Sequence, residues 1–379
     1  MISFGFTGKN IGPIGLDIGH GWIKMVQLGG NHNVSVLAAE KVRIEDESAD
    51  NPQQRREQIT SSIKEMLSRA PFEGRQVVMA LPNEKLHITS LRLAQMDDEQ
   101  TCQAVRDEAK QRFGLSSDDD VVRYLPVGQV KQGDDLKNEL VLFAADGGAI
   151  REQIELAEQA GLVPVGLDPV PCALFRAFDH SLRREADWQQ TLVFIDIGKC
   201  YTTVVFGRSG EVGFIKEIQV GTERFDEEIS DKLGVTTAEA QVLRAGLRAQ
   251  RKAGEAAVDA DTDEAATAVQ TALDVSTRQV IVDALGTVSQ ELAREISLCF
   301  KYYTVTFRGK RVERAYFAGG GAYENVLLNV LRRQLAVDVE TAEPFRGFDM
   351  TDVNFISDRR GSHCEWTATV GLALKGFKE

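Results

Sequence analysis

The stretch "GLDIGHGWIKMVQLG", Gly15–Gly29, has a counterpart in the second half of the chain, "FIDIGKCYTTVVFGRSG", Phe194–Gly210. Each reads as an apolar run, Asp-Ile-Gly, a few mixed residues and a second apolar run. An acid closing an apolar strand, with glycine straight after it, is a costly pattern to write twice. The repeat predicts two hairpins on two copies of one layered α/β unit. A glycine tip lets backbone N–H groups approach a phosphate, because no Cβ stands in the way. Two such tips facing across a cleft would hold a polyphosphate from both sides. Asp17 and Asp196 lie beside the tips, where carboxylates can hold Mg²⁺ through water next to phosphate oxygens. The plainer reading, an Asp that only caps a turn, suits one copy better than two.

The flanking segments repeat as well. Ile14–Leu28 predicts a strand, a turn at Gly19–Gly21 and a second strand, with Val34–Arg43 adding a third. Ile59, Ile63, Met66 and Leu67 share one helical face, and Gln76–Pro82 is a short apolar strand. The order then changes. "HITSLRLAQ" is strand-like, and "DDEQTCQAVRDEAKQRFG" is a helix with an acidic first turn that aligns Cys102, Val105, Ala109 and Phe113. Val121–Val130 and Glu139–Ala145 are paired strands, followed by the helix "GAIREQIELAEQAG". Together Glu84–Gly161 reads as a small α+β module inserted into the first unit.

"LDPVPCALFRAFDHSL", Leu167–Leu182, predicts a helix begun by Asp-Pro. Asp168 at its start would face the cleft, where it could both cap the helix and order an attacking water or the Mg²⁺ shell. After the second hairpin come a strand, Gly221-Thr222 and a helix. Residues 245–274, rich in Ala, Glu and Asp, predict a poorly packed or mobile connection. Val288, Leu292, Ile296, Cys299, Phe300 and Tyr303 form one helical stripe. "FAGGGA", Phe317–Ala322, lies between a strand and a helix, where glycines let a flat base or ribose rest on the backbone. The chain closes on a small-residue helix, "TATVGLALKGF".

Bulk properties exclude several classes. The chain has 379 residues, enough for two or three domains, and its 43% apolar and 27% charged residues suit a water-facing globular protein. A net charge of −13 disfavours a nucleic-acid surface. No apolar run reaches membrane-spanning length, and the N-terminus does not read as a secretory signal. Five cysteines without C-x-x-C spacing predict neither a disulfide framework nor a structural zinc, and a reducing compartment. Neither G-x-G-x-x-G nor a Walker-type loop is present at these glycines. Cys200 with His20 suggests a thiol nucleophile only weakly, for want of an orienting third residue. His87 and His363 read as surface residues.

The order of hairpin, connecting helix, hairpin, glycine turn and final small-residue helix is similar to the actin, sugar kinase and heat-shock chaperone ATPase superfamily. Within it the chain resembles the PilM family of type IV pilus assembly, relatives of the division protein FtsA. The resemblance is carried by "ALPNEKLHITSLRL…AVRDEAKQRFG", "IELAEQAGLVPVGLDP" and "LAREISLCFKYYTV…VERAYFAGGGA…PF", and by a module placed where FtsA-like proteins carry subdomain 1C. It implies an α/β actin-like ATPase fold of two duplicated ribonuclease H-like domains around a nucleotide cleft. The first domain would take residues 1–83 with 163–190, the module 84–162, the second domain 191–368 and the final connecting helix 369–379.

The resemblance further implies ATP or ADP with Mg²⁺, the metal held by Asp17 and Asp196. Nucleotide contacts would come from Asp17, Gly19, His20, Gly21 and Lys24 on the first hairpin and from Asp196, Gly198, Lys199, Cys200 and Thr202 on the second. Gly221, Glu239, Gly319, Gly320, Gly321 and Ala322 complete the set. The chain departs from the pattern at His20-Gly21 and Lys199-Cys200, at Gly221-Thr222 in place of Gly-Gly, and at Val242, where a lysine is expected. ATP binding with slow hydrolysis follows. The implied partner is a PilN-like inner-membrane protein whose N-terminal peptide lies in a groove between the module and the first subdomain. Its tail would hold an otherwise cytoplasmic protein at the inner membrane. A sugar-type kinase of the same fold is the alternative, but no polar sugar pocket is visible near Leu81–Leu93. An FtsA-like or type II secretion scaffold is another.

Overall fold

The computed structural model describes residues 10–30, 33–45, 51–132, 134–181, 190–208, 210–258, 274–307, 311–351, 353 and 363–377. The first repeat runs β1 (Ile11–Ile18), β2 (Trp22–Gly29), β3 (Ser35–Arg43), α1 (Pro52–Arg69) and β4 (Gln76–Leu81). An insertion follows, of β5 (His87–Ala94), α2 (Asp98–Phe113), β6 (Val121–Gln132) and β7 (Asp135–Ala145). α3 (Gly147–Gln159), β8 (Val163–Pro169) and α4 (Val170–Ser181) return to the first repeat. The second repeat comprises β9 (Leu192–Ile197), β10 (Thr202–Arg208), β11 (Glu211–Ile218), α5 (Thr222–Leu233), α6 (Thr237–Val258), α7 (Val275–Thr306), β12 (Arg314–Ala318), α8 (Asn325–Leu335) and β13 (Asp338–Thr341). α9 (Thr367–Gly376) closes the described chain.

The duplication is explicit in the sheets. One has the order β3-β2-β1-β4-β8 and the other β11-β10-β9-β12-β13. In both, the first two pairings are antiparallel and the last two parallel. The central strands read as nearly unbroken apolar runs because helices cover both faces, as parallel pairing requires. Ile14, Leu16, Val77 and Met79 are buried in the first lobe, and Val193, Phe194 and Ile195 in the second. Two connecting helices join the lobes. A Cβ on Gly371 of α9 would overlap the backbone of Ala173 in α4, so the two helices cross at direct backbone contact. Such close approach is possible only because Gly371 carries no side chain.

Three expectations are corrected. First, Asp168 and Pro169 do not begin a helix. They end β8, where Asp168 pairs with Ala80 of β4, and α4 starts at Val170. Second, α3 is not part of the module. Leu156, Ala157 and Ala160 lie in the first lobe's core with Ile14, Leu16 and Ile63. The insertion therefore ends near Ala145 rather than at residue 162. Third, the buried face of α2 is Thr101, Val105 and Ala109, and Cys102 is exposed. The connection predicted over 245–274 is helical as far as Val258, and its remainder, 259–273, lies outside the described residues, as do 1–9 and 378–379.

The module's sheet has the order β5-β7-β6 and two apolar faces. Side chains alternate along β7. Leu140, Leu142 and Ala144 pack with Val105 and Ala109 of α2. Val141, Phe143 and Ala145 join the core of the second lobe, with Val212, Phe214 and Phe206. Arg92 on β5 pairs with Glu139 at 2.6 Å and reaches Thr306 at the end of α7 at 3.5 Å. The module thus hangs from the first lobe and rests on the second.

Candidate nucleotide cleft

The two hairpin tips are the same turn. Gly19 N–H donates to the Trp22 carbonyl at 3.0 Å, and Gly198 N–H to the Tyr201 carbonyl at 2.9 Å. The first tip is anchored by Ile44 N–H to the Gly21 carbonyl at 2.9 Å. The second is anchored by the first turn of α5. Thr222 N–H donates to the Gly198 carbonyl and Glu223 N–H to that of Lys199, each at 2.9 Å, with Gly221 extended just before the helix. The tips face one another: the His20 and Tyr201 rings are 5.6 Å apart, and the Lys199 stem lies 3.4 Å from where a Cβ on Gly21 would begin.

Below the tips, Asp17 and Lys24 are cross-strand partners, joined at 3.1 Å and nearly buried. Burial alone would lower the Lys24 pKa, but Asp17, Asp196 and Glu365 outweigh it and raise it. Asp196 is pushed up to about 6 by burial and by Asp17, against the pull of Lys24. The two acids expected to hold a metal are therefore brought together around one lysine. Among the described residues no three His, Cys, Asp or Glu side chains form a metal-ligand group. A two-carboxylate site of this kind suits Mg²⁺ that keeps its waters and takes phosphate oxygens. Glu365 borders the same floor. Burial pushes its pKa up, but the Tyr323 hydroxyl and Lys41, at 3.1 Å, hold it below the ordinary value.

The glycine turn sits on the end of β9. Ala318 pairs with Asp196, so Gly319 comes next to that carboxylate. Gly319 has φ +79°, and a Cβ there would fall 2.6 Å from Asp196 Oδ1. Glycine is required on both counts. Gly320 is exposed and opens on free space, whereas Gly321 and Ala322 are buried, with Gly321 against Ile197. Of the four turn residues expected at the nucleotide, only Gly320 presents an exposed backbone.

Other expected residues are otherwise engaged. Thr202 is buried, and its hydroxyl donates to the Val220 carbonyl at 2.7 Å. Cys200 Sγ donates to the Glu223 carboxylate at 3.2 Å, and burial with Glu223 pushes its pKa up to about 12, so it stays a thiol. Glu239 is exposed and forms a capping box, accepting from Thr236 N–H at 2.8 Å while Thr236 Oγ1 accepts from Glu239 N–H at 3.2 Å. Asp168 is buried and bonded to Arg176 at 2.9 Å and to Lys375. Its two ion pairs tie the end of β8 to α4 and to α9. His87 is exposed as expected, stacked on Phe113, but His363 is half-buried against Phe345.

Sequence reasoning missed two groups. Arg244 is buried and bonds Asp226 through two nitrogens, at 2.7 and 2.8 Å, and Glu324 at 2.6 Å. It ties α5 and α6 to the residue that closes the glycine turn. The resemblance implies a lysine at 242, but Val242 is 71% exposed, on the opposite face of α6. The signal was there: Arg244 continues the buried stripe Ala240–Arg244–Leu247 at helical spacing. Glu84, which pairs with His20, had no local signal, because its partner lies far away in sequence.

Two lobes built on one repeated sheet order, joined by crossing helices around a cleft, are the actin-like ATPase fold. The chain belongs to the type IV pilus assembly protein PilM family, whose sequence pattern matches residues 15–278 and 256–377. Among solved structures it is similar to a PilM-PilN type IV pilus biogenesis complex, at 20% identity over 98% of this chain and 100% of that one, with a TM-score of 0.73. It is also similar to the ethanolamine utilization protein EutJ from Carboxydothermus hydrogenoformans, at 14% identity over 97% of this chain and 90% of that one, with a TM-score of 0.50. No curated protein sequence matches it. Among the described residues no helix is long and apolar enough to cross a membrane.

Proposed function

We propose that this chain is a nucleotide-binding adaptor of type IV pilus assembly, which holds Mg-ATP or Mg-ADP between its lobes and docks the N-terminal tail of a PilN-like inner-membrane protein. The observation that carries the nucleotide reading is the convergence of both glycine tips, Asp17, Asp196 and the open face of Gly320 on one cleft. Tip N–H groups, His20 and Lys199 would bind phosphates, Asp17 and Asp196 would hold Mg²⁺ through its waters, and the base would lie over Gly320. The metal would neutralise phosphate charge there. Asp168, the acid expected to order water, is engaged by Arg176 and Lys375. Slow turnover follows, well below the enzyme median of about 10 s⁻¹.

The partner reading is supported by family membership and by likeness to a PilM-PilN complex along the whole chain. A cytoplasmic site of action, held to the inner membrane through that partner, goes with it. An extended peptide can bind by main-chain hydrogen bonds and a few pockets. Fluorescence anisotropy with a labelled N-terminal PilN-like peptide tests this. We expect micromolar affinity that changes when ATP is added. An absence of binding up to millimolar peptide, with and without ATP, would overturn the adaptor reading.

A further inference from the structure

We propose that Glu84 is the residue by which the cleft tells ATP from ADP: its carboxylate holds His20 where a terminal phosphate would, and a nucleoside triphosphate has to displace it. The inference rests on the nucleotide reading above and adds a residue to it.

Glu84 lies in the short turn Asn83–Lys85 between β4 and β5, at the root of the inserted module. Its Oε1 contacts His20 Nε2 at the first hairpin tip, and both side chains are a little over one-third exposed. The His20 ring in turn leans on Tyr201 of the second tip. Arg55 lends positive charge to the same corner, reaching the Gly19 carbonyl at 3.5 Å. The other tip repeats the arrangement, with Lys199 Nζ 3.8 Å from Glu223. His20 and Lys199, one at each tip, are thus each matched by a carboxylate of this chain. A carboxylate accepts from an imidazole N–H in the same way as a phosphate oxygen does. The pair is thus an internal competitor. A diphosphate, one phosphoryl group shorter, can occupy the cleft and leave it intact.

The position of Glu84 in the chain gives the exchange a consequence. Releasing Glu84 frees the first turn of the module, whose sheet rests on the second lobe. Occupancy by a triphosphate is thereby reported to the module through one side chain.

The test uses the full chain and fluorescent ATP and ADP analogues with Mg²⁺, titrated against the unmutated protein and Glu84→Gln. Removing one competing charge should tighten ATP by about tenfold. ADP affinity should stay within about twofold. In a His20→Asn background the same substitution should have no further effect, since the partner is gone. Amide exchange at Lys85–Ile88 should rise with ATP in the unmutated protein and be raised already in Glu84→Gln and Glu84→Ala. An unchanged ATP-to-ADP ratio in Glu84→Gln, with both nucleotides still bound, would overturn the inference and leave the nucleotide reading standing. If the unmutated protein binds neither nucleotide, both fall.

Discussion

Asp196 shows how a single buried residue can weigh on stability. Burial lifts its pKa to about 6 from an ordinary 3.8. Between those values the folded protein keeps a proton that the unfolded chain has lost, so stability falls as pH rises through that window. Above it the charge is buried at a cost that Lys24 offsets only in part. Asp196→Asn removes the charge. Without nucleotide the variant should be more stable than the unmutated protein at pH 7.5, by about 1 kcal/mol or roughly 2 °C, and the gain should vanish by pH 4. Its affinity for Mg-nucleotide should drop by about tenfold or more, the equivalent of one lost charge contact. Thermal melts at the two pH values and calorimetry read both effects. A melt shift that ignores pH would show that the carboxylate is not strained by burial.

Asp168 shows how an element's neighbours override its local signals. Asp-Pro is a good helix start, yet the chain stays extended through both residues because β8 pairs with β4 as far as Leu81 and Pro169. The carboxylate then ties the end of that strand to α4 through Arg176 and to α9 through Lys375. These are the two helices that cross at Gly371. Asp168→Asn should cost about 2 kcal/mol, the worth of charge-assisted hydrogen bonds lost from a buried acid. Nucleotide affinity and ATP turnover at 25 °C should be unaltered. Urea unfolding alongside a phosphate-release assay separates the outcomes: lost turnover at unchanged stability would restore a catalytic role.

For the whole molecule, the module is the part whose place was least expected. The resemblance implies a groove between the module and the first subdomain, and Val141 and Phe143 share a core with Val212 and Phe214 of the second lobe as well. Its removal therefore exposes apolar surface on the other lobe. Excising residues 84–161 also takes Leu156 and Ala157 from the first lobe's core, and that variant should show no cooperative melt. Excising 87–145 with a short linker should leave a folded chain that binds more hydrophobic dye and melts at least about 5 °C lower. It should no longer bind the PilN-like peptide. Differential scanning fluorimetry, dye titration and anisotropy check the three. Equal stability after the shorter excision would mean that the module does not brace the lobes.

Much was legible in the residue order because it depends on neighbours in sequence. Hairpin tips, helical stripes, the acid-glycine pairs and the glycine turn are local patterns, and their repetition disclosed the duplicated lobes and the cleft between them. The pairing of Asp17 with Lys24 follows from hairpin register alone. What tertiary structure decided was the set of partners brought from far away. Glu84 meets His20, Arg244 meets Glu324, and Asp168 meets Lys375 across 207 residues. The helix α3 joins one core and the module's sheet another, although both present apolar faces. Periodicity tells a segment which face to bury, but not against what. That choice is made by the complementary surfaces available once the lobes have formed, and it set Asp168 between α4 and α9 and the module's sheet against the second lobe.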